Sequence, residues 1–220
     1  MAAVATLVWF VWLPRYRPAL VAGEAYGIDV SHHQGEIDWD EVASDGISFV
    51  YIKATEGGDL VDDRSEENWV GAGEAGLARG AYHFFTLCRP GTDQADNFLD
   101  QLPPLDAVAL PPAVDLELTG NCSERPARAQ VLAELRAFLE IVEAETGRDT
   151  VLYLRQDFDE IYRVDESFDR PLWTFRYLRR PSRDDWTIWQ VGGYAYVDGI
   201  DGRVDLNVMR QTGAAARMTT

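Results

Sequence analysis

Apolar and polar residues alternate in short runs along most of the chain, and eight of these runs read as strands. They are YGIDV (26–30), ISFVYIK (47–53), GAYHFF (80–85), AVDLEL (113–118), TVLYL (150–154), PLWTF (171–175), WTIWQV (186–191) and RVDLNV (203–208). Between the early runs the period lengthens to that of a helix. The clearest case is 124–146, where Val131, Leu132, Leu135, Phe138, Leu139 and Val142 form one apolar stripe, with Ser123 as N-cap and Gly147 as the stop. Shorter helices are expected around 38–45, 66–76, 92–102 and 156–162. Alternation of strand and helix returns the chain to the same end of the sheet each time, so the strands run parallel. Eight such strands close into an α/β barrel of the TIM type, whose active site lies at the carboxyl ends of the strands. The last three strands lie too close together for helical crossovers, so the barrel is distorted, with helices mainly in the first five units. No GxGxxG turn supports the rival, an open doubly wound sheet.

Period-two alternation also says which side chains face the barrel mouth. In AVDLEL, Ala113, Asp115 and Glu117 share one face, opposite Val114, Leu116 and Leu118. YGIDV sets Asp29 opposite Ile28 and Val30, and RVDLNV sets Asp205 and Asn207 opposite Val204, Leu206 and Val208. Three strands thus converge with carboxylates, which are costly inside a sheet unless paired or hydrogen-bonded. Clustered carboxylates serve two chemistries. One is divalent-metal hydrolysis, helped by His32 or His33. The other is glycoside hydrolysis, in which crowding keeps one acid protonated as proton donor beside a second carboxylate. Aromatics on or just beyond the same strands (Tyr82, Phe84, Tyr153, Trp173, Tyr177 and Trp189) favour the second, because sugar rings stack on such faces.

The remaining composition narrows the setting. The 220 residues are 46% hydrophobic and 26% charged, in the range of an ordinary globular chain with a core large enough to fold without staples. Twenty Lys and Arg against 37 Asp and Glu leave a net charge of -17, which argues against nucleic acid as a partner. The apolar run 2–13 is too short to span a bilayer comfortably but suits an export signal or membrane anchor; a packed first helix is the alternative. This divides the chain into a leader or anchor (1–25), a catalytic barrel (26–210) and a short polar tail (211–220). Cys88 and Cys122 are the only cysteines; in an exported protein they read as a disulfide, otherwise as two separate thiols.

The segments GIDVSHHQG (27–35), FVYIKATEG (49–57), GAYHFF (80–85), VDLE (114–117), WTIWQ (186–190) and GIDGRVDLNVM (199–209) resemble glycoside hydrolase family 25, the Chalaropsis-type muramidases. TLCRPG (86–91) and GNC (120–122) are similar to an exported or membrane-anchored bacterial branch of that family. The resemblance implies hydrolysis of the β-1,4 bond between N-acetylmuramic acid and N-acetylglucosamine in peptidoglycan, without cofactor or metal, on a barrel whose last three strands lack helices. It implies Glu117 as proton donor, Asp115 as support for the substrate acetamido group, and Asp29 and Asp205 lining the same subsite. Gln190 joins the aromatics as an expected substrate contact, while His32, His33, Lys53 and Glu56 are expected to hold loops. The sequence departs from the family pattern at Val191 and Gly192, where Tyr194 or Tyr196 is the substitute aromatic, at Phe175 and Arg176, and at RQDF (155–158). The expected protein is a monomer outside the cytoplasm, periplasmic or extracellular, anchored through 2–13 if that segment is retained, with glycan strands as its partner. The competing readings are a glycan-binding barrel without catalysis and a metal-dependent hydrolase.

Overall fold

In the computed structural model, which describes residues 13–106 and 108–210, strand β1 (Glu24–Val30) pairs on both edges. Its parallel neighbour is β2 (Ile47–Glu56) and its antiparallel one is β9 (Val204–Arg210), and this double pairing closes the sheet into a barrel. From β2 the barrel continues through β4 (Ala78–Phe84), β5 (Ala113–Leu116), β6 (Val151–Leu154), β7 (Leu172–Phe175) and β8 (Trp186–Ala195), each parallel to the last. Only β9 runs against its neighbours in the closed ring. The two-residue β3 (Leu60–Val61) is an outrigger on β2, too short to leave a period in the sequence.

Five α-helices follow the early strands: α1 (Trp39–Ser44), α2 (Ser65–Glu74), α3 (Gly91–Gln101), α4 (Arg128–Thr146) and α5 (Gln156–Tyr162). None separates β7, β8 and β9 among the described residues, as the spacing requires. Helix α4 keeps the expected stripe, with Val131, Leu135, Phe138, Leu139 and Val142 buried, and stops at Gly147 in a left-handed conformation (φ 66°). Its start differs. Ala127 is the N-cap, and Ser123 lies outside the helix. Pro126 holds the preceding residue in extended backbone, so no helix can run through from 123. Where α3 meets α4, Gly91 lies so close that a Cβ there would fall 1.8 Å from the Glu134 carbonyl oxygen.

The apolar residues sort into two layers. Ile28, Val30, Val114, Leu116, Leu206 and Val208 belong to the layer between the barrel and its helices. Phe49, Tyr51, Ala113, Trp173, Ile188 and Met209 plug the barrel interior. The inward and outward faces expected for β1, β5 and β9 are those observed.

Of the expected leader or anchor 1–25, residues 1–12 lie outside the described residues, and the tail 211–220 lies outside them too. Segment 13–23, however, is fastened to the barrel. Leu13 and Pro14 are buried, the Pro14 carbonyl accepts from Tyr196 N, and Arg17 pairs with Asp45 at 2.5 Å. Among the described residues no helix is long and apolar enough to cross a membrane.

Candidate active site

The plug stops short of the carboxyl ends of the parallel strands, leaving a cavity of about 540 Å³. Asp29, Asp115, Glu117 and Asp205 all line it, so the sheet brings together the four carboxylates read from three separate strands. Asp29 and Asp205 are direct cross-strand partners in β1 and β9, an arrangement that is unfavourable for two like charges.

A fixed set of donors holds Asp29. Its Oδ2 accepts from Asn207 Nδ2 at 2.7 Å and from Gln190 Nε2 at 3.1 Å. Each amide is itself oriented by an aromatic donor. Trp173 Nε1 donates to Asn207 Oδ1 at 2.9 Å, and the Tyr153 hydroxyl donates to Gln190 Oε1 at 2.7 Å. These bonds turn both amide nitrogens toward the carboxylate. Trp173 and Tyr153 therefore border the cavity while their polar atoms act on Asp29 through an intermediate.

Burial pushes the Asp29 carboxyl well above the usual carboxylate range, and Asp205 adds to this. Asp115 is raised likewise, by burial first and then by Glu117 and Asp29. Its Oδ1 is buried without a hydrogen-bond partner. Glu117 follows the last residue of β5 and is only half-buried; burial still raises it, Arg155 and Lys53 pull it down, and Asp157 and Asp205 push it up. Asp205 is raised to about 6 by burial, against the pull of Arg155. Its carboxylate rests on Gly193, where a Cβ would come within 2.9 Å of Oδ1.

The loop carrying Glu117 is clamped. Asn121 Nδ2 donates to the Glu117 carbonyl at 3.0 Å and to the Phe85 carbonyl at 2.8 Å, and its Oδ1 accepts from Leu87 N. Beside it, Cys88 and Cys122 form a disulfide. Two cations enter the pocket. Lys53 pairs with Glu56 at 2.7 Å and stands over the Phe84 ring, while the Arg155 guanidinium stacks on Phe175 with 3.9 Å to the ring centroid.

Tyr82, Phe84 and Gln190 also line the cavity, but Tyr177 and Trp189 do not. Trp189 is 1% exposed in the outer core with Nε1 donating to the Arg176 carbonyl, because in β8 it alternates with the inward Gln190. Tyr177 is exposed and meets Tyr194 edge-on. Neither substitute aromatic reaches the pocket: Tyr194 is buried in the outer core and Tyr196 is exposed on the surface. Gly192 instead marks a bulge in β8, with φ 147°. His32 holds a loop through Asp62 (Nδ1 to Oδ2, 2.8 Å), and His33 lines the cavity. Among the described residues the one set of three ligand-type groups within 4.8 Å of one another is His32, Asp62 and Asp63, of which none is a lining residue. Residue-type alternation gave no hint of Arg155 and Phe175 as a pair.

The model of glycosyl hydrolases family 25 matches residues 28–200. The chain belongs to that family. Among its family relatives is Lysozyme M1 of Streptomyces globisporus, 36% identical over 217 residues, covering 91% of this chain and 72% of that one. YegX of Escherichia coli K12 is 37% identical over 195 residues, 85% of this chain and 70% of its own. The crystal structure of a lysozyme from Streptomyces coelicolor superposes with a TM-score of 0.77 at 34% identity, covering 90% of this chain and 96% of that one. As a family 25 member the protein is a glycoside hydrolase.

Proposed function

We propose that this glycoside hydrolase is an N-acetylmuramidase, a lysozyme cleaving the β-1,4 bond from N-acetylmuramic acid to N-acetylglucosamine in peptidoglycan. Support comes from the family, from relatives named as lysozymes, and above all from one observation: Asp115 Oδ1, two residues before Glu117, is buried without a partner. An orphaned buried oxygen is costly unless a ligand satisfies it, and the N–H of a substrate acetamido group is a donor of the right kind. Asp115 then fixes that group, while Glu117, whose raised pKa favours the acid form, gives its proton to the leaving glycosidic oxygen as the C1–O bond breaks. Water supplies the hydroxyl that ends on C1, and its released proton restores Glu117. Asp29 and Asp205 face the developing positive charge on the sugar ring. Tyr82, Phe84 and Phe175 line the groove with aromatic surface. The disulfide supports a site of action outside the reducing cytoplasm.

Glu117→Gln should lower kcat on purified peptidoglycan by about 10²–10⁴-fold, the usual worth of a positioned acid, with KM little changed. Full activity in this variant would remove Glu117 from the reaction. A protein that binds glycan strands but never cuts them would favour a binding barrel instead.

A further inference from the structure

The acid-lined pocket contains a cation that acts on its acids only from a distance. Lys53 is paired with Glu56, but among the described residues the Arg155 guanidinium makes no hydrogen bond and no ion pair. Its ring contact is Phe175, over which the guanidinium carbon stands 3.9 Å from the centroid, and the N–H groups have no hydrogen-bond partner among the described residues. Arg155 opens the segment after β6 and Phe175 ends β7, so neighbouring strands set the pair side by side at the rim. A guanidinium seated over a ring with its N–H groups unpartnered is suited to bidentate recognition of a carboxylate.

We infer that Arg155, positioned by Phe175, is a specificity residue that binds a carboxylate carried by the substrate strand. This rests on the muramidase reading, since muramic acid differs from glucosamine by its 3-O-lactyl group. That group ends in a free carboxylate where no peptide is attached, and in an amide where a peptide brings its own carboxylates. Beside four acids Arg155 answers a second need: with Lys53 already paired to Glu56, Arg155 offsets the repulsion that an anionic substituent meets on entering this mouth.

The test compares the wild type with Arg155→Ala on peptide-free glycan strands, on the same strands after conversion of carboxyls to methylamides, and on peptide-bearing wall. Arg155→Ala is expected to raise KM for the free-carboxylate strands about tenfold more than for the methylamide strands, the worth of one charge-assisted pair. If the selective loss falls on peptide-bearing wall and not on peptide-free strands, the bound carboxylate belongs to the peptide. Equal KM changes on charged and neutralised strands would overturn the assignment. Should the wild type cut none of the three, the muramidase reading fails by itself. Arg155 is then read by titrating Glu117→Gln and Glu117→Gln/Arg155→Ala with peptide-free strands, where equal Kd values sink the inference.

Discussion

At the residue scale, the site stores its chemistry as unfavourable burial. Asp205 illustrates the cost. Its folded pKa of about 6 lies above the unfolded value near 3.9, so the folded state holds the extra proton between those values. Stability from this group is fully present below about pH 4 and is lost as pH rises through about 6. Asp205→Asn should therefore raise Tm at pH 7 by about 2–4 °C, roughly 1 kcal/mol for a chain of this size, and change it little at pH 4. Thermal melts at the two pH values check this; an equal shift at both would assign the effect to packing. The inward carboxylates were legible because a strand that carries Asp between Ile and Val has one assignment of faces. The same rule speaks against Trp189: once Gln190 is inward, its neighbour must be outward. Aromatic type alone was the misleading signal. Arg155 and Phe175 were beyond local reading, since 20 positions of chain separate two residues that only the β6–β7 register brings together.

At the element scale, the loop after β5 carries the proposed proton donor Glu117. Three residues separate Glu117 from Asn121, which ties the loop to the carbonyls of Phe85 and Glu117, and Cys122 anchors the next position to Cys88. A disulfide spanning 34 residues stabilises by about 3–4 kcal/mol in the chain-entropy model. The double variant Cys88→Ser, Cys122→Ser should lose about that much in denaturant titration. If Asn121 alone holds the loop, the variant should retain its kcat below the melting range. A large fall in kcat without loss of fold would assign the positioning to the disulfide. The cysteine pair stood out in the sequence, whereas the cross-loop role of Asn121 had no local signal. Helix α4 was legible from its stripe and Gly147, and the four-residue error at its start traces to Pro126 overriding a good capping residue at Ser123.

At the scale of the whole molecule, the barrel was readable from eight short runs and their shrinking separations. Closure by an antiparallel β9 between β8 and β1 was not, because hydrogen-bonding direction leaves no mark on residue pattern. The net charge of -17 has a consequence of its own. Peptidoglycan strands bear carboxylates, so enzyme and substrate repel over distances that salt controls. Raising ionic strength from about 10 mM to about 150 mM shortens the Debye length from about 30 Å to about 8 Å, and kcat/KM on wall should rise severalfold. Methylamide-neutralised strands should respond less; the same salt response on both would place the effect elsewhere. Glu117, in its proposed role as proton donor, sets a second dependence. Activity should fall as pH rises through the raised pKa of Glu117, and Arg155→Ala should move that limb upward, because Arg155 pulls this pKa down.

The most direct measurement is the identity of the reducing end. Purified peptidoglycan is digested, the products are reduced with borohydride, and the new alditol is identified by mass spectrometry beside a Glu117→Gln control. Muramicitol ends produced by the wild type and missing from the variant are the predicted result. Glucosaminitol ends, or muramicitol ends formed equally by both proteins, would contradict it.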